Sequence, residues 1–156
     1  MRIVLATVVG CLLISCSSEQ RPAKEAAAPV PARVKPSDES RRFPSAGLVE
    51  TKVVEREVGG KPFMPGGTVA KYRKGKTEYE MFVARAASPT HAAIALSDWR
   101  KSMTDAKLVA AFGGYFGKDG GVPAFVFTKG QWIAGVTGLS EKDADVPART
   151  LASRLD

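Results

Sequence analysis

Hydrophobic and polar positions divide the chain into three parts. Ile3 to Ile14 is almost continuously apolar, broken only by Thr7 and Gly10. Ser17 to Pro44 carries almost no large apolar side chain. From Ser45 onward, short apolar runs alternate with breaks rich in glycine and proline. The first run, behind Arg2, is 12 residues long. That is well short of the roughly 20 needed to cross a bilayer, so it reads as a signal segment and not a retained helix. The second part cannot bury enough surface to fold. Its prolines, Pro22, Pro29, Pro31, Pro36 and Pro44, stiffen it toward polyproline II.

The third part carries the periodicities of regular structure. Leu48 to Val58 is rich in Val and Thr and predicts a strand. Gly59-Gly60-Lys61-Pro62 and Pro65-Gly66-Gly67 are breakers. Thr68–Tyr72 and Thr77–Arg85 predict a hairpin closed by Arg73 to Lys76. Tyr79, Met81 and Val83 alternate with Glu78 and Glu80, so they fall on opposite faces. Ser88-Pro89 opens a helix, with serine as cap and proline in the first turn. In that helix Ala92, Leu96, Trp99 and Met103 form one buried stripe. Lys107–Phe116, Val122–Thr128 and Gln131–Thr137 predict a meander of three strands, turning at Gly117 to Gly121 and at Lys129-Gly130. Val122 to Phe127 is apolar on both faces, as in a central strand. A last helix is expected from near Asp145-Val146-Pro147, burying Ala148, Leu151, Ala152 and Leu155. The order predicts an α+β fold: an antiparallel sheet of five or six strands with two helices on one face. The expected divisions are 1–15 as signal peptide, 16–44 as disordered tether and 45–156 as one domain.

At the first boundary, Leu13-Ile14-Ser15-Cys16 resembles the lipobox of bacterial lipoproteins. The resemblance implies cleavage before Cys16, a diacylglycerol thioether on its sulfur and acylation of the new amino terminus. A single chain binds membranes marginally, at about 0.8 kcal/mol per buried CH₂, whereas two or three hold firmly. Ser17, where an Asp would favour inner-membrane retention, points to the outer membrane, facing the periplasm. Further on, Thr77–Phe82, Ser88-Pro89 with its Ala-rich helix, Gly114-Tyr115 and Phe125 to Trp132 resemble an uncharacterised family of exported bacterial domains. No activity comes with that resemblance.

Composition adds little to this picture. The chain has 156 residues and a net charge of +7. Residues 45–156 hold 16 basic and 12 acidic side chains. That mild excess permits attraction to anionic headgroups or envelope polymers, and nucleic acid is not an expected partner of an exported lipoprotein. Cys11 would leave with the signal peptide and Cys16 would be lipidated, so no disulfide is expected.

The candidate chemistry is sparse. His91 is the only histidine and has no clustered ligands around it, so neither metal nor cofactor is expected. Ser88, His91 and Asp98 are the residue types of a catalytic triad, but a helix cap accounts for Ser88. Glu78 and Glu80 could be the carboxylates of a glycoside hydrolase, although their alternation with apolar residues marks a solvated face. Gly113 to Lys118 hints at a phosphate loop without its spacing. Lys71, Arg73, Lys74 and Lys76 form the densest basic cluster and are candidates to touch an anionic polymer, or to guard a sheet edge. Val122, Ala124, Phe125, Val126, Phe127 and Trp132 are the candidate binding surface. Two short helices on one face of the sheet would leave the other face open to a protein partner, or as part of a pocket for a hydrophobic ligand. These readings converge on a lipid-anchored envelope protein with a non-catalytic binding or structural role. The alternatives are a carrier of lipid or another hydrophobic ligand and, less favoured, an envelope hydrolase.

Overall fold

The computed structural model describes residues 35–156. The expected signal segment, Cys16 and most of the expected tether lie outside the described residues. The described part is an α+β structure built on one seven-stranded sheet. In chain order the elements are β1 (Leu48–Arg56), β2 (Pro65–Lys74), β3 (Thr77–Arg85), α1 (Pro89–Ser102), β4 (Thr104–Val109), β5 (Gly114–Asp119), β6 (Val122–Lys129), β7 (Trp132–Thr137) and α2 (Glu141–Ala152). The strand order is β1-β2-β3-β7-β6-β5-β4, and every neighbouring pair is antiparallel.

The strand count exceeds the expected five or six because Lys107 to Phe116 is not one strand. The chain reverses between Val109 and Gly114, so that Val109 pairs with Gly114 and Lys107 with Phe116. Gly113, at φ +62°, takes the left-handed conformation that this turn needs. The turn expected from Gly117 to Gly121 shrinks to Gly120-Gly121, and β5 occupies the rest.

The two helices cover opposite faces of the sheet, not one. Ala92, Ala95, Leu96 and Trp99 of α1 pack over Phe82, Ala124, Val126 and Ile133. Ala144, Ala148 and Leu151 of α2 pack with Phe125, Phe127, Ala134 and Val136 on the other side. The expected open face is therefore closed. Ala124, Phe125, Val126, Phe127 and Trp132 are between 0 and 4% exposed, and only Val122, at the strand's end, is open. Val58 and Met64 are buried on the α1 side and add to that cover.

α2 begins a turn earlier than expected. The Ser140 hydroxyl accepts a hydrogen bond from the Asp143 amide at 3.3 Å, which makes Ser140 the cap. Pro147 is then inside the helix, where it lacks an amide to donate to the Asp143 carbonyl.

Residues expected at the end of the tether also fold. The Glu39 amide donates to Thr68 Oγ1 at 3.0 Å, Phe43 is buried, and the Tyr72 hydroxyl donates to the Pro44 carbonyl at 2.7 Å. The packed region thus starts before Ser45, laid across β2 on the α2 side.

Trp99 ties the α1 side together. Its indole stacks on Phe82 at 4.9 Å and 9°, and meets the Phe63 ring edge-on at 6.3 Å. Its Nε1 donates to Asp119 Oδ2 at 3.1 Å, while Asp119 Oδ1 receives Lys61 Nζ at 2.6 Å. One side chain thereby joins α1 to the β1–β2 connection and the β5–β6 turn. We expect Trp99→Ala to cost about 3–5 kcal/mol. Since domains of this kind have about 5–15 kcal/mol in total, chemical denaturation should show a large share of the stability lost. A midpoint close to that of the unmodified chain would contradict this packing.

Tyr72 gives a pH dependence with a definite sign. Burial, reinforced by the stacked Tyr79 ring at 5.0 Å, pushes its phenol up to about 12. The unfolded phenol titrates near about 10. The native preference for the protonated form is fully present below about pH 10 and is lost as pH rises through about 12. Tyr72→Phe should lower stability at neutral pH by about 0.5–1.5 kcal/mol through the lost bond to Pro44. It should also make the alkaline decline across that window shallower, as followed by urea melts at several pH values.

Candidate functional site

The side chains singled out as catalytic candidates have structural partners. Ser88 caps α1: its Oγ accepts from the His91 amide at 3.2 Å and contacts His91 Nδ1 at 2.7 Å. Asp98 does not complete a triad with them, because it receives Lys101 Nζ at 2.8 Å. Glu78 is held by Arg73 at 2.6 Å. Glu80 stands on the solvated side of β3 next to Lys71 of β2.

The glycines of Gly113-Gly114 serve the fold. Gly113 forms the β4–β5 turn. Gly114 is buried so tightly that a Cβ there would lie 2.5 Å from the Val126 carbonyl oxygen and 2.6 Å from Phe127 Cβ. No phosphate could approach that backbone from the occupied side.

The basic cluster is half neutralised. Lys71 pairs with Glu50 at 2.8 Å and Arg73 with Glu78 at 2.6 Å. The Glu50 partnership holds the Lys71 ammonium above its ordinary range and the Glu50 carboxyl below its own. Lys74 and Lys76, exposed around Gly75, have no carboxylate partner among the described residues.

Among the described residues, two surface depressions bear on the candidate sites. One, of about 220 Å³, lies on the outer strands over Val54 and Val69, bordered by Glu50, Lys52, Lys71 and Glu80. Its charges alternate in sign, so it presents no net field to an ion of either charge. The second, of about 450 Å³, runs between the β4–β5 turn and α2 over Phe112, Phe127 and Ala152. Its two cations are engaged: Arg149 with Asp145 at 2.9 Å, and Lys129 with the Ala152 carbonyl at 3.1 Å. Among the described residues no group of three or more His, Cys, Asp or Glu side chains is placed to hold a metal ion.

The arrangement least visible in the sequence is Lys61–Asp119–Trp99. Lys61 and Asp119 are 58 positions apart and both stand in turn-like sequence. The one signal that could have linked them is the indole N–H of a buried tryptophan, which requires an acceptor.

No protein family, curated protein or solved structure matches the chain.

If Ser88 is a cap and not a nucleophile, Ser88→Ala should destabilise the fold by about 1 kcal/mol. His91→Ala, on an exposed first turn, should change stability by no more than about 0.5 kcal/mol. Thermal melts of both variants check this. A larger loss for His91→Ala than for Ser88→Ala would reverse the assignment.

Proposed function

We propose that this chain is a lipid-anchored protein of the bacterial cell envelope whose folded domain has a non-catalytic binding or structural role. The observation that carries the reading is the sequence Leu13-Ile14-Ser15-Cys16 at the end of a 12-residue apolar run behind Arg2. A run of that length suits a signal segment and a lipidation site better than a membrane span. Ser17 favours the outer membrane, with the domain facing the periplasm. The polar, proline-rich stretch from Ser17 would serve as a tether, with the fold taking over in the segment that Glu39 and Phe43 pin to the sheet.

The non-catalytic role is supported by what the candidate side chains do. Ser88 and His91 form a cap, and Asp98 and Glu78 sit in ion pairs. The Lys74-Gly75-Lys76 turn is the part of the domain suited to an anionic polymer or headgroup. Burial of Phe125, Phe127 and Trp132 favours this reading over a hydrophobic-ligand carrier, because those rings fill the core that a ligand would need.

Metabolic labelling with an alkyne fatty acid tests the anchor. The unmodified chain should take up label and partition with membranes. Cys16→Ala should take up none and appear as an uncleaved or soluble form. Undiminished label on Cys16→Ala would end the lipoprotein reading.

A further inference from the structure

The two edges of the sheet are unlike each other. β4 is six residues long, and its pairing with β5 shifts register between Thr104 and Lys107, where Asp105 adopts φ +54°. A short, irregular edge of this kind discourages further strand pairing. β1 at the other edge is nine residues long and none of them is buried. From Glu50 to Arg56 it pairs with β2 in unbroken register, and no strand of the described residues lies beyond it, so its outer side there presents a regular row of backbone donors and acceptors. Residues 37–44 do not cover this row. They lie on the face of the sheet, where Ser40 Oγ is 3.1 Å from Thr51 Oγ1 and the Glu39 amide donates to Thr68 Oγ1.

We propose that β1 is a homodimerisation edge, where two copies of the chain pair β1 to β1 in antiparallel fashion about a two-fold axis through Val53. The occupant is identified by the sequence of the strand itself. Glu50, Lys52, Val54 and Arg56 share one face, and Thr51, Val53 and Glu55 share the other. Reversing the strand about Val53 sets Glu50 opposite Arg56 of the second copy twice. It also sets Lys52 opposite Val54, Thr51 opposite Glu55, and Val53 opposite itself. Opposite charges meet at both ends and no like charges face each other, which is the self-complementarity that a two-fold interface requires. The competing register, centred on Thr51, also brings Glu50 against Lys52. It fails beyond that pair, because the register shift between Leu48 and Glu50 turns Leu48 to the face opposite Val54. Val53, 36% exposed, would be covered in the dimer.

Disulfide trapping reads the register directly. In the full chain carrying Cys11→Ser and Cys16→Ser, the added cysteine is the sole thiol. A residue on the axis faces its own copy at a Cα separation of about 4.5–5.5 Å, within disulfide reach. Val53→Cys should therefore give a covalent dimer on mild oxidation. Glu55→Cys should cross-link at least roughly tenfold more slowly, because its two copies would be offset by about 13 Å along the strands. Equal rates at the two positions would signify random collision and overturn the proposal. Sedimentation equilibrium of the unmodified full chain should show a dimer. Glu50→Arg should weaken it at least about tenfold, and Glu50→Arg/Arg56→Glu should recover it. A monomer at every soluble concentration, or no recovery in the double variant, would also overturn it. So would a dimer that Glu50→Arg leaves intact.

Discussion

The structure turns on how closely Phe82 can lie against the sheet. A Cβ at Gly135 would fall 2.5 Å from Phe82 Cε1 and 2.6 Å from the Phe125 carbonyl oxygen. Without that atom, the Phe82 ring settles over β7 and offers a flat surface on which Trp99 stacks. The height of α1 above the sheet follows from two rings in van der Waals contact. The remaining α1-side contacts follow from that height. Gly59 tucks under the edge of the indole, where a Cβ would come within 2.8 Å of Cη2. Asp119 reaches the indole N–H, and Lys61 closes on Asp119. A larger residue at position 135 would lift Phe82 and Trp99 together and open the α1 side at both the β1–β2 connection and the β5–β6 turn.

Much of the fold was legible in the sequence, for reasons that can be traced to residues. The β2–β3 hairpin and α1 were visible because local signals agree with tertiary packing. Alternation at Glu78 to Met81 matches one covered and one solvated face at that end of β3, although Phe82, on the Glu78 and Glu80 side, is buried beneath α1, and Ser88-Pro89 is both the cap signal and the observed cap. The stripe through Trp99 was readable because helical spacing alone places it. The β4–β5 turn was missed because Leu108 to Phe116 is rich in apolar residues, and Gly113-Gly114 could equally belong to a strand. The start of α2 is hard to read because Pro147 imitates a first-turn proline and hides the Ser140 to Asp143 cap.

Other features could not have been read locally. A strand that is apolar on both faces announces that both are covered, but not which element covers which. Assigning α1 and α2 to opposite sides needs the strand order, and that depends on β3 pairing with β7 across about fifty residues. Residues 37–44 looked like tether because their composition is polar, with Phe43 alone as a large apolar group. Their anchoring partners, Thr68 and Tyr72, are roughly thirty positions away. The candidate sites were legible only as lists of residue types. Their partners, Lys101 for Asp98 and Arg73 for Glu78, were within five residues, yet no spacing rule distinguishes a pair that neutralises from a pair that reacts.

The topology explains why the two ends of the sheet differ. Each half of the chain runs as a meander that ends in a helix, β1-β2-β3-α1 and then β4-β5-β6-β7-α2, and the halves join through their last strands, β3 and β7. The first strand of each meander is therefore left at an edge. Both helices lie over β6 and β7, so cover is concentrated on the second half. On the first half the α2 side is closed by Phe43, Tyr72 and Leu155, and the α1 side only as far as Val58 and Met64 reach. Beyond them the outer strands carry Glu50, Lys52, Lys71 and Glu80 in place of apolar groups. A face with no helix above it can stay soluble only if its side chains are polar, and alternating signs let neighbouring strands pair without like-charge repulsion. The charges on β1 and β2 thus follow from where the helices go. The sequence Glu50 to Arg56, exposed for that reason, is also the stretch whose outer backbone is regular enough to accept another strand.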